Sequence, residues 1–286
     1  MSVRAGERVL TLLATPLNFM VMRALAERPM RLADLRQATG LPAQTTLRGH
    51  LASLGELGVV HKRPTTQMPY AVENELTDMG RELLEVADLL EGWLAQAPER
   101  AISLANGAAK GVVKAFVDGW GSTMMGDLAA QPMSLTELDR RIPELSYPAL
   151  ERRLASMRMA GLIEACTGEG AGTPYGVTDW ARRGVLPLAA ASYCESLHMR
   201  GRAAPVTERD IEAAFLLATP LVHLPAETTG VCQLEVEVDS AAARGQSGIR
   251  VRFEQGEVVA CEPGLEEGPT PFAAGSAADW FEAVRD

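Results

Sequence analysis

Several signals are missing from this sequence, and each absence removes a class of function. No run approaches the roughly 18 apolar residues of a membrane span, so no membrane partner is expected. The amino terminus, MSVRAGERVLTLLATPLNF, has only a short apolar run closed by Pro16. That run is too short for a signal peptide's apolar region, and a cytoplasmic protein is expected. Cysteine is scarce: Cys166, Cys194, Cys232 and Cys261 stand far apart with no C-x-x-C pair. Neither a disulfide framework nor a zinc site is expected from that spacing, only small buried hydrophobes. The four histidines, His50, His61, His198 and His223, form no i, i+4 pair, and P-loop, G-x-S-x-G and dinucleotide glycine patterns are absent. No catalytic residue, metal or cofactor is therefore expected, and nothing supports an enzyme.

Positive charge is also short overall, with a formal net charge of −10. That balance argues against a nucleic-acid partner until its distribution is counted. Residues 1–72 hold 9 Lys and Arg against 4 Asp and Glu, whereas residues 201–286 hold 6 against 15. The acidity belongs to the tail, and the first quarter of the chain is basic.

What is present is a repeat. HLASLGELGVV (50–60) and RLASMRMAGLI (153–163) lie at one offset of 103 residues, which also aligns Ala26, Pro29, Met30, Leu32 and Leu35 with Ala129, Pro132, Met133, Leu135 and Leu138. Pro69-Tyr70 matches Pro174-Tyr175 at an offset of 105, which reads as two residues inserted at a hairpin. The chain thus carries two copies of one module. The first reads as helices at 19–26, 32–39 and 43–57, separated by turns at Pro29 and Gly40-Leu41-Pro42. In the third helix Leu47, Leu51, Leu54 and Leu57 form the buried stripe, leaving Thr45, Arg48, Gly49, Ala52 and Ser53 outward. Val59 to Arg63, a polar tip, and Pro69 to Val72 read as a two-stranded hairpin. Helix-turn-helix followed by hairpin is a winged helix.

AERPMRLADLRQATGLPAQTTLRGHLASLGELGVVHKRP and MPYAVENELTDMGRELLEVADLLEGWL, with Leu76-Thr77, Gly80, Leu83-Leu84 and Trp93, resemble the HxlR-type winged-helix transcriptional regulators. The resemblance covers residues 10–100 and, less closely, 115–195. It implies a DNA-binding regulator. Some members sense oxidants through a cysteine near the start of the module, and none occurs here before Cys166, so that sensing is not expected. The tail stretches VCQLEVEVDS, GIRVRFEQGEVVAC and GSAADWFEAV resemble part of a sterol-carrier-protein-like domain, a fold with an apolar ligand tunnel.

The remaining segments follow from pattern. Val9 to Ala14 reads as a short helix or an arm. Residues 78–96 read as a long amphipathic helix, either a subunit contact or a helix packed on its own module. Ala101 to Val117 reads as a packed linker helix. Thr207 to Leu224 reads as a helix kinked or ended by Pro220, and Cys232, Leu234, Val236 and Val238 as a strand whose other face, Gln233, Glu235, Glu237 and Asp239, is wet. Ile249–Phe253 and Val258–Cys261 read as a hairpin, and Ser276 through Trp280, Phe281 and Val284 as a closing helix.

The expected fold is α+β, mainly α: two tandem winged helix-turn-helix domains (1–97 and 98–200) and a small C-terminal α/β domain (201–286). The expected partner is double-stranded DNA, met by a monomer acting as an intrachain pseudo-dimer or by a homodimer. Thr45, Thr46, Arg48 and Ser53 are placed in the major groove with Gln44 at its margin, and Lys62 and Arg63 on phosphates. The second module has Glu151 where the first has Arg48, and a wing (164–174) without Lys or Arg. Its DNA contacts would rest on Arg140, Arg141, Arg152 and Arg153. A small apolar effector is expected between this module and the tail, against Trp120, Met124, Met125 and Met157. Two other readings stand beside this one. One is a small-molecule-binding protein on a winged-helix scaffold that has lost DNA binding; the other is a tandem winged-helix DNA-repair glycosylase.

Overall fold

The structure is a computed structural model that describes residues 4–64, 70–167, 172–199, 201, 203–240, 243–266, 272–276 and 280. Gly6, at φ 79°, precedes α1 (Glu7–Leu13), so the stretch from Val9 is a helix and not an arm. Pro16, tolerated where a helix's first amides have no partner, starts α2 (Pro16–Glu27). Then come β1 (Met30–Arg31), α3 (Leu32–Ala38), α4 (Gln44–Glu56), β2 (Val60–Pro64), β3 (Val72–Leu76) and α5 (Asp78–Ala95). The turn between α3 and α4 passes through Gly40 and Leu41, both left-handed at φ 80° and 58°. Leu41, which as a non-glycine is strained there, donates its amide to Arg36 O, and Arg36 Nε donates to Pro42 O at 2.8 Å. Leu47, Leu51 and Leu54 are buried as the leucine spacing predicts, whereas Leu57, the C-cap, is only half-buried.

Two details of the first hairpin depart from expectation. Met30 and Arg31 form a strand against β3 where sequence suggested only a turn, giving the order β1-β3-β2. Two residues are too few to show a period. The return strand runs over Val72–Leu76, after the Pro69-Tyr70 pair rather than through it. The polar tip with Pro69 lies outside the described residues.

After α5, residues 101–107 are not helical, contrary to the expected linker helix from Ala101. The Glu91 carboxylate accepts from Leu104 N and from the Ser103 hydroxyl and holds this stretch as a loop. Helix α6 (Ala108–Val117) follows, then α7 (Gly119–Ala130), α8 (Leu135–Arg141), α9 (Tyr147–Met159), β4 (Ile163–Ala165), β5 (Tyr175–Val177), α10 (Asp179–Arg183) and α11 (Val185–His198).

The element order of α2 to β3 recurs from α7 to β5, and the backbone bonds give the register. Up to the hairpin the offset is 103: Val59 N donates to Leu54 O, and Leu162 N to Met157 O. Beyond it the offset is 101, since Val60 pairs with Leu76 and Ile163 with Val177, while Met30 pairs with Asn74 and Met133 with Tyr175. Thr77 and Thr178 then cap equivalent helices, and their hydroxyls donate to Gly58 O and Gly161 O. The second hairpin is thus two residues shorter, not two longer, and the Pro-Tyr match was misleading. Its tip, with Gly168 and Gly170, lies outside the described residues.

Helix α5 corresponds to α10 and α11 together. The second helix breaks at Gly184 because Pro187 has no amide hydrogen to return to Arg183 and its ring would crowd that carbonyl. A side chain on Gly184 would also strike Phe116 (2.8 Å) and Trp93 (3.0 Å).

The tail forms α12 (Glu208–Ala218), ended by a 3-10 turn at Thr219–Leu221 around Pro220, then β6 (Gly230–Ser240), β7 (Ala243–Glu254), β8 (Glu257–Pro263) and β9 (Phe272–Ser276). The sheet order is β8-β7-β6-β9, with β6 and β9 parallel. Gln255 and Gly256, both at positive φ, make the two-residue turn of the β7–β8 hairpin. Ser276 ends a strand instead of starting a helix, and Phe281 and Val284 lie outside the described residues. Gln233, expected on a wet face, is buried because its amide pairs with both Glu266 N and Glu266 O.

Helix α12 lies between α7 and the sheet, and Gly126 permits the approach: a side chain there would meet Ala213 at 3.1 Å. Arg4 donates to Asp210 and Thr123, and Arg182 to Leu216 O, so the tail is fastened to both the amino terminus and the second segment. Helix α5 packs antiparallel on the α10–α11 pair: Glu82 meets His198 at one end, and Gln96 meets Arg183 at the other. Near that second end Trp93 and Trp180 stack at 4.7 Å, each indole N–H donating to the other residue's carbonyl at 2.8 Å. Among the described residues no single helix is long and apolar enough to cross a membrane.

Candidate nucleic-acid interface

The α4 helix is held from behind and left open in front. Behind, its leucines enter the core and His50 Nδ1 meets Asn18 Oδ1 of α2 at 2.7 Å. In front, Gln44, Thr45, Thr46, Arg48, Gly49, Ala52 and Ser53 are all exposed. Arg48 has no described partner, so its guanidinium is available to an acceptor. Ala43, the N-cap, supplies no side-chain acceptor to the first-turn amides. On β2, Lys62 and Arg63 are exposed, but Arg63 is drawn to Glu75 at 3.3 Å, a carboxylate it shares with His61 at 3.6 Å. Of the two wing cations, Lys62 is the one without a described partner.

The second segment presents a different surface. Tyr147 stands at the position of Gln44, Glu151 at that of Arg48 and Arg152 at that of Gly49, all exposed. Tyr147, 47% exposed at the start of α9, escaped the residue-by-residue reading, although the offset of 103 places it there. Arg153 is half-buried and ion-paired to Asp118, the N-cap of α7. At offset 103 it matches His50, and it ties the third helix to the start of the first as His50 does. Arg141 pairs with Asp127 at 3.2 Å. Burial pushes the Asp127 carboxyl above its ordinary value, against the pull of Arg141. Of the expected arginine set Arg140, Arg141 and Arg152 are exposed, Arg141 within its pair to Asp127, and Arg152 Nε donates to Pro148 O of its own helix.

No one described pocket holds all four expected effector residues. Met124 is closed into the core at 0% exposure, whereas Met157, at 1%, borders with Trp120 a groove of about 550 Å³ that also meets Asp118, Arg152 and Arg153. Trp120 borders a cavity of about 480 Å³ between α7, α8, α12 and β8, whose lining includes Asp127, Arg141, Arg209, Glu212 and Glu262. Met125 borders an apolar space of about 70 Å³ beside Phe116, Phe215 and Trp280. The 480 Å³ cavity is charged and the 70 Å³ space is apolar but small.

All four cysteines are free thiols. Burial pushes Cys194 up to about 12 and Cys261 up to about 11, so neither is a reactive thiolate.

With this geometry in hand, comparison with known proteins places one part of the chain. Residues 12–101 match the family described as HxlR-like helix-turn-helix, the stretch from α1 through α5 and its following loop. That match covers the helix-turn-helix and hairpin of the first segment. Among solved structures the chain is similar to the diamide-treated YodB from B. subtilis, with 24% identity over 32% of this chain and 92% of that one, at a TM-score of 0.30. No curated protein matches the chain.

Proposed function

We propose that the protein is a sequence-specific DNA-binding transcriptional regulator without enzymatic activity, working in the cytoplasm. The observation that carries this reading is the open face of α4 within the HxlR-like segment. Short side chains let that helix approach base edges, and Arg48 can donate twice to a guanine. Lys62 then holds a phosphate beside the wing.

The finer reading is a pseudo-dimer within one chain. Residues 119–198 act as a second winged helix, and the antiparallel packing of α5 on α10 and α11 stands where a subunit contact would be. The recurring hydrogen bonds at offsets 103 and 101 support it. In the same reading an effector occupies the 480 Å³ cavity, and its lining suits a polar or amphipathic molecule better than a wholly apolar one.

The test is selection from a random duplex pool followed by anisotropy titration of the selected site. Arg48→Ala is expected to cost about 1–3 kcal/mol at that site. Lys62→Ala should weaken all sequences alike and lower the salt slope by about 1. Recovery of no preferred sequence, or parental binding by both variants, would overturn the reading.

A further inference from the structure

Three side chains unused by the DNA reading meet where α5 packs on α11. Glu82, Cys194 and His198 bring a carboxylate oxygen, a thiol sulfur and an imidazole nitrogen within 4.8 Å of one another. Cys194 and His198 are four apart on α11 and so share one helix face, while Glu82 reaches across from α5. His198 Nε2 already lies 2.6 Å from Glu82 Oε2.

We propose that Glu82, Cys194 and His198 bind a divalent zinc-type cation across the α5–α11 seam, with water completing a tetrahedron. The donor set favours that choice: one thiolate, one imidazole and one carboxylate suit a borderline-soft ion, whereas calcium and magnesium take oxygen ligands. Bond lengths of about 2.0–2.3 Å require donors roughly 3.3–3.8 Å apart. The 2.6 Å His198–Glu82 contact opens, and the other separations, within 4.8 Å, close to that by rotamer adjustment, because the Glu82 and His198 side chains are 46% and 25% exposed. Cys194, at 3% exposure, is the fixed anchor.

Beside it, Glu195 is a buried carboxylate with one oxygen lacking any described hydrogen-bond partner, the other accepting from Val9 N at 2.9 Å. Its bond is to α1, so Glu195 takes no part in the donor group. The Cys194 sulfur enters as a free thiol carrying its proton. Binding exchanges it: the S–H bond breaks, a sulfur–metal bond forms, and the proton leaves to solvent.

The experiment is a cobalt(II) titration of the reduced, DNA-free full-length chain, followed by zinc competition. The parent should saturate at one cobalt per chain with a thiolate-to-cobalt charge-transfer band, which zinc then erases. His198→Gln, at a half-exposed position compatible with folding, should bind at least tenfold more weakly. Cys194→Ser should lose the band. Absence of the band in the parent, its full retention in Cys194→Ser, or parental affinity in His198→Gln would each overturn the site. Should Cys194→Ser not fold, His198→Gln decides alone. Because no DNA is present, the result is independent of the regulatory reading.

Discussion

The first and second segments, residues 16–95 and 119–198, share a backbone plan and differ in what they show to solvent. At matched positions α4 offers Gln44, Arg48 and Gly49, while α9 offers Tyr147, Glu151 and Arg152. The first hairpin carries Lys62 and Arg63; the described part of the second hairpin carries Glu164 and no cation. What both keep is internal: the leucine stripe, the threonine cap after the hairpin, and a polar side chain tying the third helix to the first. The fold is thus held by one set of residues, and the outward set is free to diverge.

The largest expected effect bears on whether the two segments are one cooperative body. Trp180→Ala removes half of the stacked pair and the indole N–H that donates to Trp93 O. A loss of about 3–5 kcal/mol in urea unfolding is expected, with a single transition in the parent. Two separate transitions in the parent would mean that the segments are independent.

Next is the exchange of outward chemistry. Glu151→Ala should tighten DNA binding at low salt by less than Arg48→Ala weakens it, since it removes a repulsion and adds no contact. An equal loss in both variants, measured by anisotropy, would make the two faces equivalent and break the comparison.

Arg153→Ala separates positioning from contact. Its ion pair with Asp118 is partly buried, so a stability loss of about 1–2 kcal/mol is expected, between the exposed and the buried cases. DNA affinity of the folded variant should remain parental. A drop in affinity without a drop in stability would return Arg153 to the DNA-contacting set.

The smallest effect concerns a cap found in the second segment alone of the two. Ser134 and Glu137 form a capping box at α8, whereas Arg31 at the matching place in the first segment has no side-chain cap. Ser134→Ala should cost about 1 kcal/mol. The Ser134 hydroxyl and amide hold the Glu137 carboxyl below its ordinary value of 4.5. A depressed carboxylate contributes stability that is present above 4.5 and lost as pH falls through the lower folded-state value. The parent should therefore lose stability over that acid window faster than Glu137→Gln does. Parallel pH profiles of urea midpoints would show that the box contributes nothing.

Sequence periodicity was enough for the class of fold, the buried face of α4 and its outward residues, because leucines at helical spacing must bury together. It also located the first winged helix and the basic balance of residues 1–72. It misjudged the second hairpin, where a Pro-Tyr dipeptide suggested an offset of 105 and strand pairing gives 101. A dipeptide carries little register information, whereas a ladder of backbone hydrogen bonds carries a great deal. Pairing also created β1, and Glu91 turned an apolar stretch into a loop, both through partners distant in sequence.

The burial of Gln233 had the same kind of cause, an amide that finds its match only after the chain turns back. Arginines look alike in sequence, yet Asp118 holds Arg153 while Arg152 stays exposed. The cluster of Glu82, Cys194 and His198 is half legible: the Cys-x-x-x-His spacing can be read along α11, although a search for paired histidines or paired cysteines passes over it. The third donor comes from a helix 112 residues earlier than the cysteine. Spacing along one helix fixes which side chains share a face; only the packing of α5 on α11 decides which carboxylate that face meets.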